Sequence, residues 1–278
     1  MKVWVSVDGK ATLSDAEQAR LSVFDHGLTV GDGVFETVKA VDGRPFALTR
    51  HLRRLHRSAT GLGLAAPDLD AIADGVAEVL GAGPRSPLAR VRITVTGGVS
   101  PLGSERGDAA PTMVVAASPM RAWADTGDVA VVPWPRNERG ALTGLKTTSY
   151  GENVRALQHA RAHGASEAIF GNTVGNLCEG TGSNVFCVIG GRLVTPPLSA
   201  GPLDGITRAL VLEWVGGEEQ DVPLGALAEA EEAFLTSTTR DVQPIRAVDG
   251  HVLPAAPGPF TRRAMEIFAE RGATDLDP

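Results

Sequence analysis

Tight-turn dipeptides constrain the folding of this chain more than any other feature. Asp8-Gly9 closes the alternating run from Lys2 to Val7, and Asp42-Gly43 closes the strand-like run from Val34 to Val41. Gly190-Gly191 separates two apolar runs, 184–189 and 192–195. Such pairs accept the positive backbone angles of two-residue hairpins, so the strands they join run antiparallel. Further strands are expected at 90–96, 112–117, 129–132, 167–170 and 233–236. Helical spacing appears in both halves: after Thr49, which could cap the helix carrying Leu52, Leu55 and Ala59; after Asp68, ahead of Ile72, Val76, Val79 and Leu80; and over 151–163, 207–215 and 261–270. Pro84 and Pro87 are expected to end the second helix. No regular βαβ alternation runs through the order, which predicts an α+β fold with mixed or antiparallel sheets and flanking helices.

The 278 residues suit one large or two medium domains. The Ser118–Gly127 stretch reads as a linker. It divides a smaller N-terminal α/β domain, 1–117, from a larger C-terminal domain, 128–278. A net charge of −7, with no basic block outside the helical Arg50–Arg57 stretch, argues against a nucleic-acid surface. No apolar run reaches the length of a membrane span, and the N-terminal run lacks the apolar segment of a signal peptide. Cys178 and Cys187 are too few for a disulfide framework and sit in apolar surroundings, so buried free thiols and a cytoplasmic location are expected. No metal site is expected.

The basic residues carry a chemical hint. Only Lys2, Lys10, Lys39 and Lys146 are lysines among 26 Lys+Arg, and beyond residue 40 Lys146 stands alone among arginines. Where charge suffices, this chain uses Arg. A lysine amine can lose its proton when desolvated and attack a carbonyl to form a Schiff base, which a guanidinium cannot do. Three further segments suit anions or carboxylate chemistry. Glu179, in Cys178-Glu179-Gly180-Thr181-Gly182-Ser183-Asn184-Val185-Phe186, lies among small residues ahead of an apolar run and needs a partner or a proton. Gly201-Pro202-Leu203-Asp204-Gly205-Ile206-Thr207-Arg208 leads into a helix whose first N–H groups suit a phosphate, although alone it reads as an ordinary capped helix. Thr236-Ser237-Thr238-Thr239-Arg240 places four hydroxyls before an arginine.

Together with Asp25-His26-Gly27 and Gly31-Asp32-Gly33-Val34-Phe35-Glu36, these motifs resemble the fold-type IV family of pyridoxal-phosphate enzymes over nearly the whole chain. That family holds branched-chain and D-amino-acid aminotransferases and aminodeoxychorismate lyases. The resemblance implies a two-domain enzyme, a homodimer, pyridoxal 5'-phosphate as cofactor and a small amino compound as substrate. It implies that Lys146 carries the Schiff base and moves the substrate proton. Glu179 pairs with the pyridine nitrogen, Leu203 packs on the ring, and Arg54, Ile206, Thr207, Ser237 and Thr238 hold the phosphate. Phe35, Arg92, Arg106, Tyr150, Thr239 and Arg240 are the substrate-binding candidates. A dicarboxylate would need two cationic anchors from Arg92, Arg106 and Arg240, with Arg240 in the best context.

The chain also departs from family patterns. Tyr150 stands one position nearer the lysine than the tyrosine of branched-chain aminotransferases. Val95-Thr96 precedes Gly97 where D-amino-acid aminotransferases place a carboxylate-binding arginine, and His26 stands where those enzymes often have Arg. The Lys-Thr-Thr-Ser-Tyr and Leu-Cys-Glu-Gly-Thr-Gly-Ser-Asn-Val-Phe segments look most like aminodeoxychorismate lyases, which form 4-aminobenzoate and pyruvate for folate biosynthesis. The resemblance thus favours the lyase, with an aminotransferase for D- or branched-chain amino acids as the alternative. A non-catalytic phosphate-binding module is the reading from another class.

Overall fold

The computed structural model describes residues 1–83 and 86–278, and two compact units emerge from it. Unit 1 comprises Met1–Ala122, Leu145–Ser149 and Leu276–Pro278, and unit 2 comprises Trp123–Gly144 and Tyr150–Asp275. Both contain helices and strands, as the mixed patterning implied.

Unit 1 holds strands β1 (Lys2–Val7), β2 (Lys10–Asp15), β3 (Gly33–Val41), β4 (Arg44–Pro45), β5 (Leu88–Thr96) and β6 (Thr112–Pro119). They form one sheet in the order β2-β1-β6-β5-β3-β4, with every neighbouring pair antiparallel. Two of the expected turns explain this. Asp8 and Gly9 take φ of 50° and 72°, and Asp42 and Gly43 take 49° and 78°. Those are the paired positive angles that match hairpin twist.

The helices of unit 1 are α1 (His26–Thr29), α2 (Leu48–Gly61) and α3 (Leu69–Ala82). Leu55 and Ala59 of α2 and Ile72, Val76 and Val79 of α3 share one core with Val34, Val38, Val91 and Ile93 of the sheet. Asp68 caps α3 as expected, accepting from the Ala71 N–H at 2.9 Å. Pro84 lies outside the described residues. Thr49 does not cap α2. Ala47 holds that position at φ 55°, and the Thr49 N–H donates to Asp277 instead, a partner distant in sequence.

Unit 2 holds β7 (Gly127–Val131), β8 (Glu167–Gly171), β9 (Leu177–Gly180), β10 (Asn184–Ile189), β11 (Arg192–Thr195), β12 (Glu218–Glu219), β13 (Glu232–Ser237), β14 (Asp241–Val248) and β15 (His251–Val252). Its sheet runs β12-β11-β10-β13-β14-β7-β8-β9, with β15 on β14. The sheet is mixed: β14-β7, β7-β8 and β11-β12 are parallel, the rest antiparallel. Helices α4 (Gly151–Ala162), α5 (Ile206–Trp214) and α6 (Pro259–Thr274) flank it. Its largest apolar cluster gathers Val129, Ile169, Leu177, Val185, Leu235 and Ile245. Cys178 and Cys187 are free and buried, and burial pushes both thiols up, Cys187 to about 12.

Lys146 was expected within residues 128–278. Its segment groups with unit 1, because its backbone pairs there. Phe35 N–H donates to the Lys146 carbonyl at 2.9 Å, and Thr148 N–H donates to the Gly33 carbonyl at 2.8 Å. The segment thus runs as a bridge along the start of β3.

Candidate active site

In unit 1, three predicted residues meet on one aromatic ring. The Phe35 side chain is buried at the start of β3. Lys146 Nζ lies 4.4 Å from its centroid, and Arg92 Cζ, from β5, lies 3.3 Å from it. Both cations are drawn to the negative ring face. Ser58 Oγ accepts the Lys146 N–H at 3.2 Å, which ties the lysine backbone to α2. Lys146 is half-buried, a setting in which an amine can be both reached and partly desolvated.

Beneath it lies a group that sequence reasoning only half found. Arg54, on α2, binds both oxygens of Glu36 through Nε and Nη2 at 2.7 Å each. His51 Nδ1 lies 2.7 Å from Glu36 Oε2. Burial alone would raise the Glu36 carboxyl, but the charge and hydrogen bonds of Arg54, joined by the hydrogen bond of His51, hold it well below the usual carboxylate range. Burial lowers His51, aided by Arg54 and Lys146 against the pull of Glu36, so its imidazole is neutral and gives Glu36 its Nδ1 proton. Glu36 stands in the strand-like run from Val34 to Val41, which also holds Thr37 and Lys39, so its charge alone did not single it out. His51 carried no signal beyond its helical spacing from Arg54.

Arg106 is placed elsewhere in unit 1. Its Nε and Nη2 grip Asp32 at 2.7 and 2.6 Å, and its Nη1 and Nη2 donate to the carbonyls of Gly63 and Leu62.

Unit 2 gathers the predicted carboxylate and the predicted phosphate residues other than Arg54, which lies in unit 1. Glu179 lies on β9, not in a turn, and its Oε2 accepts the Leu203 N–H at 2.9 Å. Arg136 Nε is 3.6 Å from Glu179 Oε1, while Arg136 Cζ sits 4.1 Å from the Phe170 centroid. Arg136 had no distinguishing mark in the sequence. Asn184 pairs with Thr236 across β10-β13 and donates through Nδ2 to the Leu203 carbonyl at 2.8 Å. A Cβ on Gly205 would fall 1.9 Å from Asn184 Oδ1, so only glycine lets the chain enter α5 this close to the sheet.

Helix α5 begins at Ile206 with no side-chain cap, which leaves its first N–H groups to another acceptor. Thr207 is buried in that first turn, and Thr236 Oγ1 is buried with no hydrogen-bond partner among the described residues. Ser237 ends β13 opposite Asp241, and Thr238 and Thr239 begin the half-buried turn into β14. This donor set, an uncapped helix start beside a hydroxyl-rich turn, fits a phosphate ester. Arg240 does not join it through its guanidinium. Nη2 meets Glu167 at 3.1 Å, Nη1 meets Gln243 Oε1, and Cζ stacks 3.6 Å from the Trp123 centroid. Tyr150 falls in unit 2, immediately before α4. Among the described residues no cluster of three or more acidic, His or Cys side chains is arranged to hold a metal, and no helix is long and apolar enough to cross a membrane.

Comparison with known proteins supplies the last findings. The sequence pattern described as Amino-transferase class IV matches residues 33–248. A Methanocaldococcus jannaschii protein, provisionally named branched-chain-amino-acid aminotransferase, is 34% identical over 267 residues, covering 92% of each chain. D-alanine aminotransferase of Staphylococcus haemolyticus is 31% identical over 272 residues, covering 91% of this chain and 93% of its own. The structure of a branched-chain aminotransferase from Thermoproteus uzoniensis, with norvaline, superposes with a TM-score of 0.88 at 32% identity, covering 97% and 94% of the two chains. A Legionella pneumophila structure provisionally assigned as a 4-amino-4-deoxychorismate lyase has a TM-score of 0.84 at 22% identity, a likeness of fold alone.

Proposed function

The chain belongs to the class IV amino-transferase family, and on that premise we propose that it is a pyridoxal-phosphate aminotransferase acting on a monocarboxylic amino acid. One observation carries the choice of substrate. Of the three arginines available to a second substrate carboxylate, Arg106 is committed to Asp32 and two carbonyls, and Arg240 to Glu167 and Gln243. Arg92 stacks on the Phe35 ring that Lys146 also faces and donates to Thr94 Oγ1 at 3.4 Å. With Arg106 and Arg240 both committed, the pair of cationic anchors that a dicarboxylate needs is not on hand.

Bound pyridoxal phosphate supplies an electron sink for the substrate α-carbon. The chain's own residues do the rest. Lys146 Nζ holds the coenzyme covalently and carries the substrate α-proton. The Glu179 carboxylate, fixed by the Leu203 N–H and Arg136, accepts a ring N–H, and Leu203 packs on the ring. The Ile206 and Thr207 N–H groups and the Ser237 and Thr238 hydroxyls would hold the phosphate. Phe35, Tyr150 and Thr239 line the substrate.

A second reading, the aminodeoxychorismate lyase, rests on the residues around Lys146 and Glu179 and would place the protein in folate biosynthesis. The deciding assay supplies D-alanine, L-leucine or L-valine with a monocarboxylic keto acid, 2-oxobutyrate, and separately aminodeoxychorismate. Keto acid from a monocarboxylic donor is the expected result, and 4-aminobenzoate with pyruvate from aminodeoxychorismate, but no turnover of the amino-acid donors, reverses the assignment. Lys146→Arg should lower turnover by about 10²–10⁴-fold through lost proton transfer alone, and a retained rate removes this lysine from the chemistry. We assign the protein to the cytoplasm, as a homodimer. Exposed Leu21, Val23, Phe24, Leu28, Val99 and Leu102 of unit 1 support self-association, which light scattering would read.

A further inference from the structure

We propose that Glu167 is a positioning residue that sets affinity for the phosphate end of the coenzyme, an inference that rests on the phosphate role given above to Ser237 and Thr238. Glu167 opens β8 and its side chain is almost wholly buried. An isolated buried carboxylate is costly, so its partners reveal its role. Its Oε1 accepts the Ala168 N–H at 3.0 Å, the Thr181 N–H at 3.1 Å and the Thr181 hydroxyl. Its Oε2 accepts the Ser183 hydroxyl and Arg240 Nη2, both at 3.1 Å. One carboxylate therefore fastens two segments far apart in sequence: the 181–183 turn that follows Glu179, and the turn that ends in Arg240.

The second fastening reaches the phosphate donors directly. The Arg240 N–H donates to the Ser237 carbonyl at 3.2 Å and to Ser237 Oγ at 3.3 Å. A hydroxyl that accepts there keeps its proton to give to a phosphate oxygen. Trp123 stacks on the guanidinium and Gln243 holds its other end, so Arg240 has one orientation available to it. On the first side, a Cβ on Gly180 would fall 2.3 Å from Ser183 Oγ and 3.3 Å from Glu167 Cδ. Glycine at 180 is what lets the 181–183 turn close over the carboxylate. Arg240 thus acts through the backbone of the hydroxyl turn, not as a ligand.

The test compares binding of pyridoxal phosphate and of pyridoxal, which lacks the phosphate, to cofactor-stripped protein by equilibrium dialysis. Inorganic phosphate serves as competitor. In Glu167→Gln the affinity for pyridoxal phosphate should fall about tenfold or more, the scale of one charge-assisted hydrogen bond, while pyridoxal binds as in the parent. Glu167→Asp should recover part of the loss. Should Glu167→Gln fail to fold, Arg240→Gln leaves the carboxylate its Thr181 and Ser183 donors and gives the same readout. An equal loss for both ligands, or no loss for either, overturns the proposal. If the unaltered protein binds neither ligand, the functional reading itself fails.

Discussion

In unit 1 a histidine, a carboxylate and an arginine meet twice. At Glu36, His51 and Arg54 the imidazole is neutral, because burial and the nearby charges of Arg54 and Lys146 outweigh the pull of Glu36. At Asp32, His26 and Arg106 the imidazole is favoured as a cation. The Asp32 hydrogen bond and the Gly103 carbonyl raise it, against burial and the charge of Arg106. Both histidines are buried, so burial of the ring does not decide the outcome. What differs is the set of acceptors around His26 and the reach of other cations around His51. His26 Nδ1 faces Asp32 at 3.0 Å and Nε2 faces the Gly103 carbonyl at 2.9 Å, two acceptors that together call for both protons. His51 instead shares Glu36 with a buried arginine that has already claimed both carboxylate oxygens. The same three residue types thus build a buried node with a neutral histidine in one place and, in the other, a clasp on the 97–108 loop whose histidine favours its charged form.

The sharpest way to break this comparison is Glu36→Gln. It leaves Arg54 as an uncompensated buried charge and should cost about 3–5 kcal/mol in urea unfolding. Because the folded Glu36 value is depressed, its contribution is complete above the unfolded value near 4.5 and is lost as pH falls below it. The acid-induced loss of stability should therefore shrink in the variant, and an unchanged acid limb counts against the Glu36 assignment.

Asp32→Asn comes next. It should cost about 1 kcal/mol, since Arg106 is a third exposed and its pairing is screened. The clearer readout is amide exchange over 98–108. The raised His26 value makes its contribution complete below 6.5 and lost as pH rises through the folded value. After correction for intrinsic rates, exchange in this loop should accelerate with rising pH in the parent and stay flat in the variant. Arg106→Lys should have the smallest effect, about 0.5 kcal/mol, by keeping the charge while losing the two-pronged grip on Asp32. A loss as large as that of Asp32→Asn would show that the fork, not the charge, holds the loop.

Much of the scaffold was legible because its signals are local. Asp-Gly turns, the Asp68 cap and helical apolar spacing each depend on residues a few positions apart. Six of the described strands were not legible, among them the two-residue β4, β12 and β15. β2 is exposed along most of its length and has no apolar face to read. β9 is only Leu177–Gly180, and it is this strand that carries Glu179. β14 contains Pro244, which ordinarily argues against an inner strand. It is accommodated beside an irregularity in the pairing to β7 between Ile245 and Ala247. The Thr49 cap failed for a related reason: its partner, Asp277, lies at the other end of the chain.

By itself the sequence determined the α+β class, the hairpins, the family motifs and the unusual lysine, because composition, turn chemistry and short-range spacing encode them. Only the tertiary structure decided that Lys146 runs beside β3 with Phe35 and Arg92, that Arg106 is held by the half-buried Asp32 and Arg240 by the buried Glu167, and that one triad favours a neutral histidine while the other favours a charged one. Those outcomes turn on which groups from distant segments share a low-dielectric site, and a charged side chain's role there follows from its partners, not from its place in the chain.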